Sequence, residues 1–148
     1  MGFPSILEGI SDLSLEQIRM LLDRAKEYKK LALENRLPFS SHPLNSKICV
    51  ATFFMENSTR TKLSFTRAIE LLGAKHLSFD PESSSIKKGE KLKETMMTLR
   101  ALGIDIVIYR TSVARELEQF KKDPPLLMIN GGDGTHQHPT QALLDLLP

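Results

Sequence analysis

The chain has 148 residues, 41% of them hydrophobic and 26% charged, which is enough for one hydrophobic core and too little for two domains. Its formal net charge is only +2 and basic residues are dispersed among acidic ones, which argues against nucleic acid or a membrane surface as partner; any basic site must be local. Cys49 is the single cysteine, so no intrachain disulfide can form, and there is neither a leader pattern nor an apolar run near the roughly 18 residues of a bilayer span, so a reducing cytoplasm is the expected setting.

Ser14, Leu15, Glu16 and Gln17 have the spacing of a capping box. Leu15, Ile18, Leu21, Leu22, Ala25 and Leu31 then supply an apolar stripe that predicts a helix to about Asn35. Residues 37–46, with two prolines, form a connector. The β-branched and aromatic run 48–54 predicts a buried strand with Cys49 as an inert thiol inside it, and Leu63, Ala68, Leu71 and Leu72 place a helix at 62–72. Gly73 stops that helix before a short strand at 76–79. A polar loop at 80–89, a helix at 90–102 ended by Gly103, a strand at 104–109, a helix at 113–120 and a strand at 126–130 follow. Strands that are apolar nearly throughout and alternate with helices predict an α/β fold: a single domain over residues 1–148, with a parallel sheet of about four strands covered by helices on both faces.

In such sheets ligands sit outside the carboxyl ends of the strands. Ser58, Thr59, Arg60 and Thr61 lie at the first strand-to-helix turn, where unpaired backbone N–H groups and the helix dipole welcome an anion. Arg60 adds a guanidinium fork matched to phosphate oxygens. Arg110 and the glycine-rich loop 131–138 each follow a later strand, so the three segments are predicted to converge. That loop contains no dinucleotide fingerprint and no Walker lysine, and His136 and His138 have no cysteine or further histidine nearby to complete a ligand set, so neither a metal nor another cofactor is expected. Taken singly, Ser58 or Thr59 is equally a helix cap, Arg60 and Arg110 are surface charges, and His138 before Pro139 is a turn residue. Their placement at successive strand ends is what favours one shared site.

Phe54-Met55-Glu56-Asn57-Ser58-Thr59-Arg60-Thr61 with Ser64-Phe65, Ser84-Ser85-Ile86-Lys87-Lys88-Gly89-Glu90, Val107-Ile108-Tyr109-Arg110, and Asn130-Gly131-Gly132-Asp133-Gly134 with His138-Pro139-Thr140-Gln141 occur in that order. Over essentially its whole length the chain resembles the amino-terminal, carbamoyl-phosphate half of aspartate carbamoyltransferase catalytic chains. The resemblance implies that Ser58, Thr59, Arg60 and Thr61 hold the phosphate of carbamoyl phosphate, that Arg110 touches phosphate and carbonyl oxygen, that His138 donates to that oxygen, and that Gln141 accepts from the carbamoyl amide. Ser84 and Lys88 match residues that reach a neighbouring subunit's site within a homotrimer. The implied reaction moves the carbamoyl group to the amino group of L-aspartate, giving N-carbamoyl-L-aspartate and phosphate in pyrimidine biosynthesis, with Arg60, Thr61, Lys88, Arg110 and His138 as the catalytic groups.

Some relatives add a regulatory chain or a dihydroorotase partner. Two alternatives accompany this reading, an ornithine carbamoyltransferase and a non-catalytic anion-binding scaffold. Asn57-Ser58 and Thr140 fit the aspartate enzymes, since ornithine enzymes usually carry cysteine where Thr140 stands. Lys62 and Thr66 depart from the arginine and glutamate common in the family, which bears on helix packing rather than on the ligand. Residues 142–148 make an apolar stripe that stops where a helix would still be running, so the expectation is a truncated or proteolysed chain that lacks the amino-acid-binding domain and is inactive alone.

Overall fold

The computed structural model describes residues 2–36, 45–83 and 91–148. The four expected strands are present as β2 (Cys49–Phe54), β3 (Lys75–Phe79), β4 (Ile106–Thr111) and β5 (Leu127–Asp133), and a short β1 (Ile6–Leu7) adds a fifth. They lie in the order β1-β5-β4-β2-β3, every neighbouring pair parallel. The α-helices are α1 (Leu15–Leu33), α2 (Thr59–Leu71), α3 (Leu92–Ala101) and α4 (Pro139–Asp145). Most of the connector 37–46, Ser84, Lys88 and the first residue of the helix predicted at 90–102 lie outside the described residues.

Local chemistry sets the ends of the elements. Ser14 Oγ accepts from the Gln17 N–H at 3.1 Å while Gln17 Oε1 accepts from the Ser14 N–H at 2.8 Å, the reciprocal box that starts α1. Asn35, at φ 53°, turns the chain away after its last turn. β1 consists of two residues between Pro4 and Gly9, too few to show a period. It exists because the Met128 N–H donates to Ser5 O at 2.9 Å and its residues register with Met128 and Ile129.

The helix predicted at 113–120 is instead a 3₁₀ turn over Glu116–Phe120. Arg115 sits in the left-handed region at φ 62° with its N–H committed to Asp133 Oδ2 at 2.9 Å, so no α-helix can start before Glu116. Leu117 and Phe120, three apart, both point into the core, as three residues per turn allows. Two smaller expectations also change: Cys49 is half-buried rather than enclosed, and α4 closes at Asp145 with Leu146 as its cap rather than running on.

Side chains along the central strands alternate between faces. Ala51, Phe53, Val107, Tyr109 and Met128 pack with Met96 and Leu99 of α3, whereas Val50, Phe54 and Ile108 pack with Phe65 and Ile69 of α2. The sheet is thus covered on both sides. The chain leaves β2 through α2 toward β3 on one face, then crosses through α3 on the other face to β4 on the opposite flank of β2. The carboxyl ends of β2 and β4 are therefore the topological switch point, where two connections diverge and leave a crevice.

Phe53 lies at the middle of this arrangement with no exposed surface; its ring meets Phe79 edge-on at 4.7 Å and Tyr109 at 5.2 Å between centroids. Phe53→Ala is expected to cost about 3–5 kcal/mol in urea unfolding. Leu33→Ser, at a site 79% exposed, should change stability by less than about 0.5 kcal/mol.

Candidate functional site

Ser58 occupies the N-cap position of α2 with an extended backbone but does not cap it; its hydroxyl donates to Thr61 Oγ1 at 3.0 Å. The first intrahelical bond runs from Lys62 N to Ser58 O, at 3.0 Å, so among the described residues the N–H groups of Thr59, Arg60 and Thr61 have no protein acceptor. A thirteen-residue helix thus presents its positive end to the crevice.

Arg110 comes from the neighbouring strand and is the best-held cation of the site. Its side chain is 18% exposed; Nη1 donates to Gly131 O at 2.7 Å, and Nη2 pairs with Glu56 Oε1 at 2.9 Å. Nε is buried with no acceptor among the described residues. The backbone opposite makes room for it. Tyr109 registers with Asn130 and Thr111 with Asp133, so Gly131 and Gly132 stand opposite the single residue Arg110 as a β-bulge. Gly132, at φ 120°, lies so close that a Cβ there would overlap Arg110 Nη1.

The loop after β5 is wired by two buried residues. Asn130 Oδ1 accepts from the Gly132 N–H at 2.8 Å, and its amide nitrogen donates to Glu8 O at 2.8 Å and Gln137 O at 3.2 Å. Asp133 accepts from the Arg115 N–H at 2.9 Å, the Gln137 N–H at 2.7 Å and the His136 ring at 2.8 Å. Burial pushes the Asp133 carboxyl up, but these donors outweigh it and hold it below its ordinary value. The loop so fixed delivers His138 to the start of α4. Burial, followed by the positive charge of Arg110, lowers the His138 pKa; Asp133 and Asp145 offset this only in part. The ring is therefore neutral at pH 7 and carries one N–H to give.

These pieces share one cavity of about 820 Å³, lined by Ser58, Arg60, Thr61, Arg110, His138 and Gln141 together with Ser64, Phe65, Ala68, Thr140 and Leu144. Six of the nine residues singled out in the sequence thus meet in one place. Thr59 faces an adjoining cavity of about 380 Å³ that also touches Ser58, Glu56 and Lys62. Ser84 and Lys88 lie outside the described residues. His136 and His138 do separate jobs, one bound to Asp133 and the other lining the cavity.

Glu56, Asn130, Gly132 and Asp133 stand within the family motifs, but sequence reasoning gave them no role. The bulge that sets Gly131 and Gly132 against Arg110 leaves no periodic trace. Glu56, two residues before Ser58, is a lone acid whose partner is distant in sequence.

Chemically, two guanidinium groups, an open helix terminus, hydroxyls and a neutral imidazole surround a small volume. That set favours a compact dianion with a polar neutral group attached to it. Glu56 occupies part of the Arg110 fork, so an anion that takes that fork must compete with a carboxylate.

Residues 7–148 match the sequence profile described as the aspartate/ornithine carbamoyltransferase, carbamoyl-P binding domain. The chain is 40% identical over 141 residues to the aspartate carbamoyltransferase catalytic subunit of Streptococcus pneumoniae (strain JJA), covering 94% of this chain and 43% of that protein. Its fold is similar to aspartate transcarbamoylase from Trypanosoma cruzi in complex with carbamoyl phosphate and aspartate, with a TM-score of 0.83, 28% identity, and coverage of 97% of this chain and 46% of that one. It is likewise similar to the catalytic subunit of M. jannaschii aspartate transcarbamoylase, with a TM-score of 0.77, 34% identity, and coverage of 96% and 45%. The chain thus spans less than half the length of the relatives it matches.

Two outcomes are expected. Glu56→Gln, which removes the competing charge, should tighten inorganic phosphate binding about three- to tenfold in calorimetric titration at fixed ionic strength, equivalent to roughly 1 kcal/mol. Unchanged or weaker binding would place phosphate away from Arg110. The His138 ring should titrate below the ordinary imidazole value of about 6.5 by NMR in the free protein, and its midpoint should move upward in saturating phosphate, because a nearby dianion favours the imidazolium.

Proposed function

The chain belongs to the aspartate/ornithine carbamoyltransferase family, as its carbamoyl-phosphate-binding domain, and on that premise we propose that it holds carbamoyl phosphate for transfer of the carbamoyl group to the amino group of L-aspartate. The observation that carries this reading is the single cavity in which Arg60, Arg110, His138 and the open end of α2 meet.

In this reading the phosphate lies at the start of α2, taking the unpaired N–H groups of Thr59, Arg60 and Thr61 and the Arg60 fork. Arg110 spans phosphate and carbonyl oxygen, with its buried Nε as a donor otherwise left unmatched. Attack by the acceptor's amine on the carbamoyl carbon pushes an electron pair onto the carbonyl oxygen. Thr61, Arg110 and neutral His138 are aimed as donors at that oxygen, and removing one such donor typically costs roughly 3–4 kcal/mol of barrier.

The C–O bond to phosphate then breaks, the pair leaving with the phosphate, and a phosphate oxygen takes the amine's proton. Arg60, with Lys88 from a neighbouring subunit, steadies the departing charge. Gln141 accepts from the carbamoyl NH₂. Ser84 and Lys88 are proposed to complete the site across the interface of a homotrimer, and the setting is proposed to be the cytoplasm; among the described residues no helix is long and apolar enough to cross a membrane.

Aspartate is favoured over ornithine as acceptor by the relatives matched and by Thr140, which lies on the cavity wall 3.4 Å from His138 Nδ1. In a full-length protein carrying this sequence, Arg60→Ala should lower aspartate-dependent phosphate release from carbamoyl phosphate by about a hundredfold or more while leaving subunit association intact. Activity that survives the substitution would return the site to the role of a scaffold.

A further inference from the structure

We propose that Asp145 is a positioning residue that fixes which end of the Gln141 amide faces the cavity, and thereby makes the site select a phosphate compound bearing an adjacent N–H donor over one of the same shape without it. The inference rests on the carbamoyl-phosphate reading above and extends it to a residue outside the cavity lining.

Gln141 and Asp145 stand one turn apart on α4, and Gln141 Nε2 donates to Asp145 Oδ1 at 2.8 Å. Gln141 lines the cavity and Asp145 does not. An ionised carboxylate only accepts, so it can bond the NH₂ end of an amide and repels the carbonyl end. A side-chain amide is nearly symmetric in shape, and in isolation its two ends would exchange freely. Both side chains are exposed, and Asp145 biases the exchange: turning the amide over sets oxygen against oxygen.

The end left without a partner among the described residues is therefore Oε1, an acceptor. A ligand with an NH₂ beside its carbonyl satisfies that oxygen, whereas a methyl in the same place leaves it unpaired. Asp145 also bears on His138 at the other end of α4, since its charge partly offsets the effect of Arg110 on that ring. An ordinary helix-surface pair would stabilise α4 and nothing more, so the two roles separate by ligand preference.

The test uses two stable probes in the full-length protein, phosphonoacetamide and its methyl-ketone analogue acetonylphosphonate, with inorganic phosphate as reference, all by calorimetric titration. Wild type should prefer the amide by about tenfold. Asp145→Ala should bring that ratio to within about twofold while leaving phosphate affinity unchanged, and adding Gln141→Ala should lower it no further, because both act through one contact. Asp145→Asn, which can still accept from Nε2 but can also donate to Oε1, should fall between.

An amide preference that survives Asp145→Ala overturns the proposal, as does a proportional loss of affinity for all three probes, which would mark Asp145 as merely structural. Wild type that binds phosphate but shows no amide preference overturns the proposal and leaves the phosphate site standing. Wild type that binds none of the three overturns both.

Discussion

A guanidinium shielded from water and only partly matched within its own protein governs the rim of this fold. Arg110 is pinned by one carbonyl and one carboxylate, yet a buried donor on the same group has no acceptor among the described residues. Burying such a donor unmatched carries a cost on the order of 1–3 kcal/mol. The surroundings show how firmly that group is held: β5 bulges to offer Gly131 O, Gly132 gives up its Cβ, and Asn130 and Asp133 hold the following loop in the shape the bulge requires. Those features have no obvious purpose in a fold whose only task is to bury its core.

Topology explains why the pieces come together at all. Because α2 and α3 cover opposite faces, the chain ends of β2 and β4 open onto an unfilled notch, and whatever follows those strands is drawn to its edge. The core beneath, with Phe53 between Phe79 and Tyr109, supplies a stiff floor. Recognition is thus built from turns, whose polar groups can be satisfied by a ligand, upon strands whose backbone groups are already paired.

This division also accounts for what could be read from the residues alone. The apolar runs at 48–54, 104–109 and 126–130 announce the strands that fold as β2, β4 and β5, and the Ser14–Gln17 box is a contiguous pattern, so both are legible; the polar carboxyl ends of β4 and β5 are not. Arg60 and His138 are legible for the same reason, each following a recognisable strand by a short interval; Arg110, expected to follow one, lies inside the carboxyl end of β4 because that strand runs on to Thr111. β1 is not, because two residues become a strand only through the neighbour they pair with. The turn at Glu116–Phe120 looks helical by composition and is overruled by one backbone bond to Asp133. Glu56 and Gly132 acquire meaning only once Arg110 has been placed between them, which no spacing along the chain encodes.

The withheld cap of α2 has a thermodynamic corollary. Most helices that begin with serine use the hydroxyl to quiet their first amides, a saving of about 1 kcal/mol; here it is spent on Thr61. Among the described residues the first amides of this helix have no acceptor, and an oxyanion seated there takes over the missing structural part. Folding and occupancy are linked by mass action, so heat resistance should climb with the logarithm of free anion once the site saturates. The melting curve becomes a gauge of what the cavity holds.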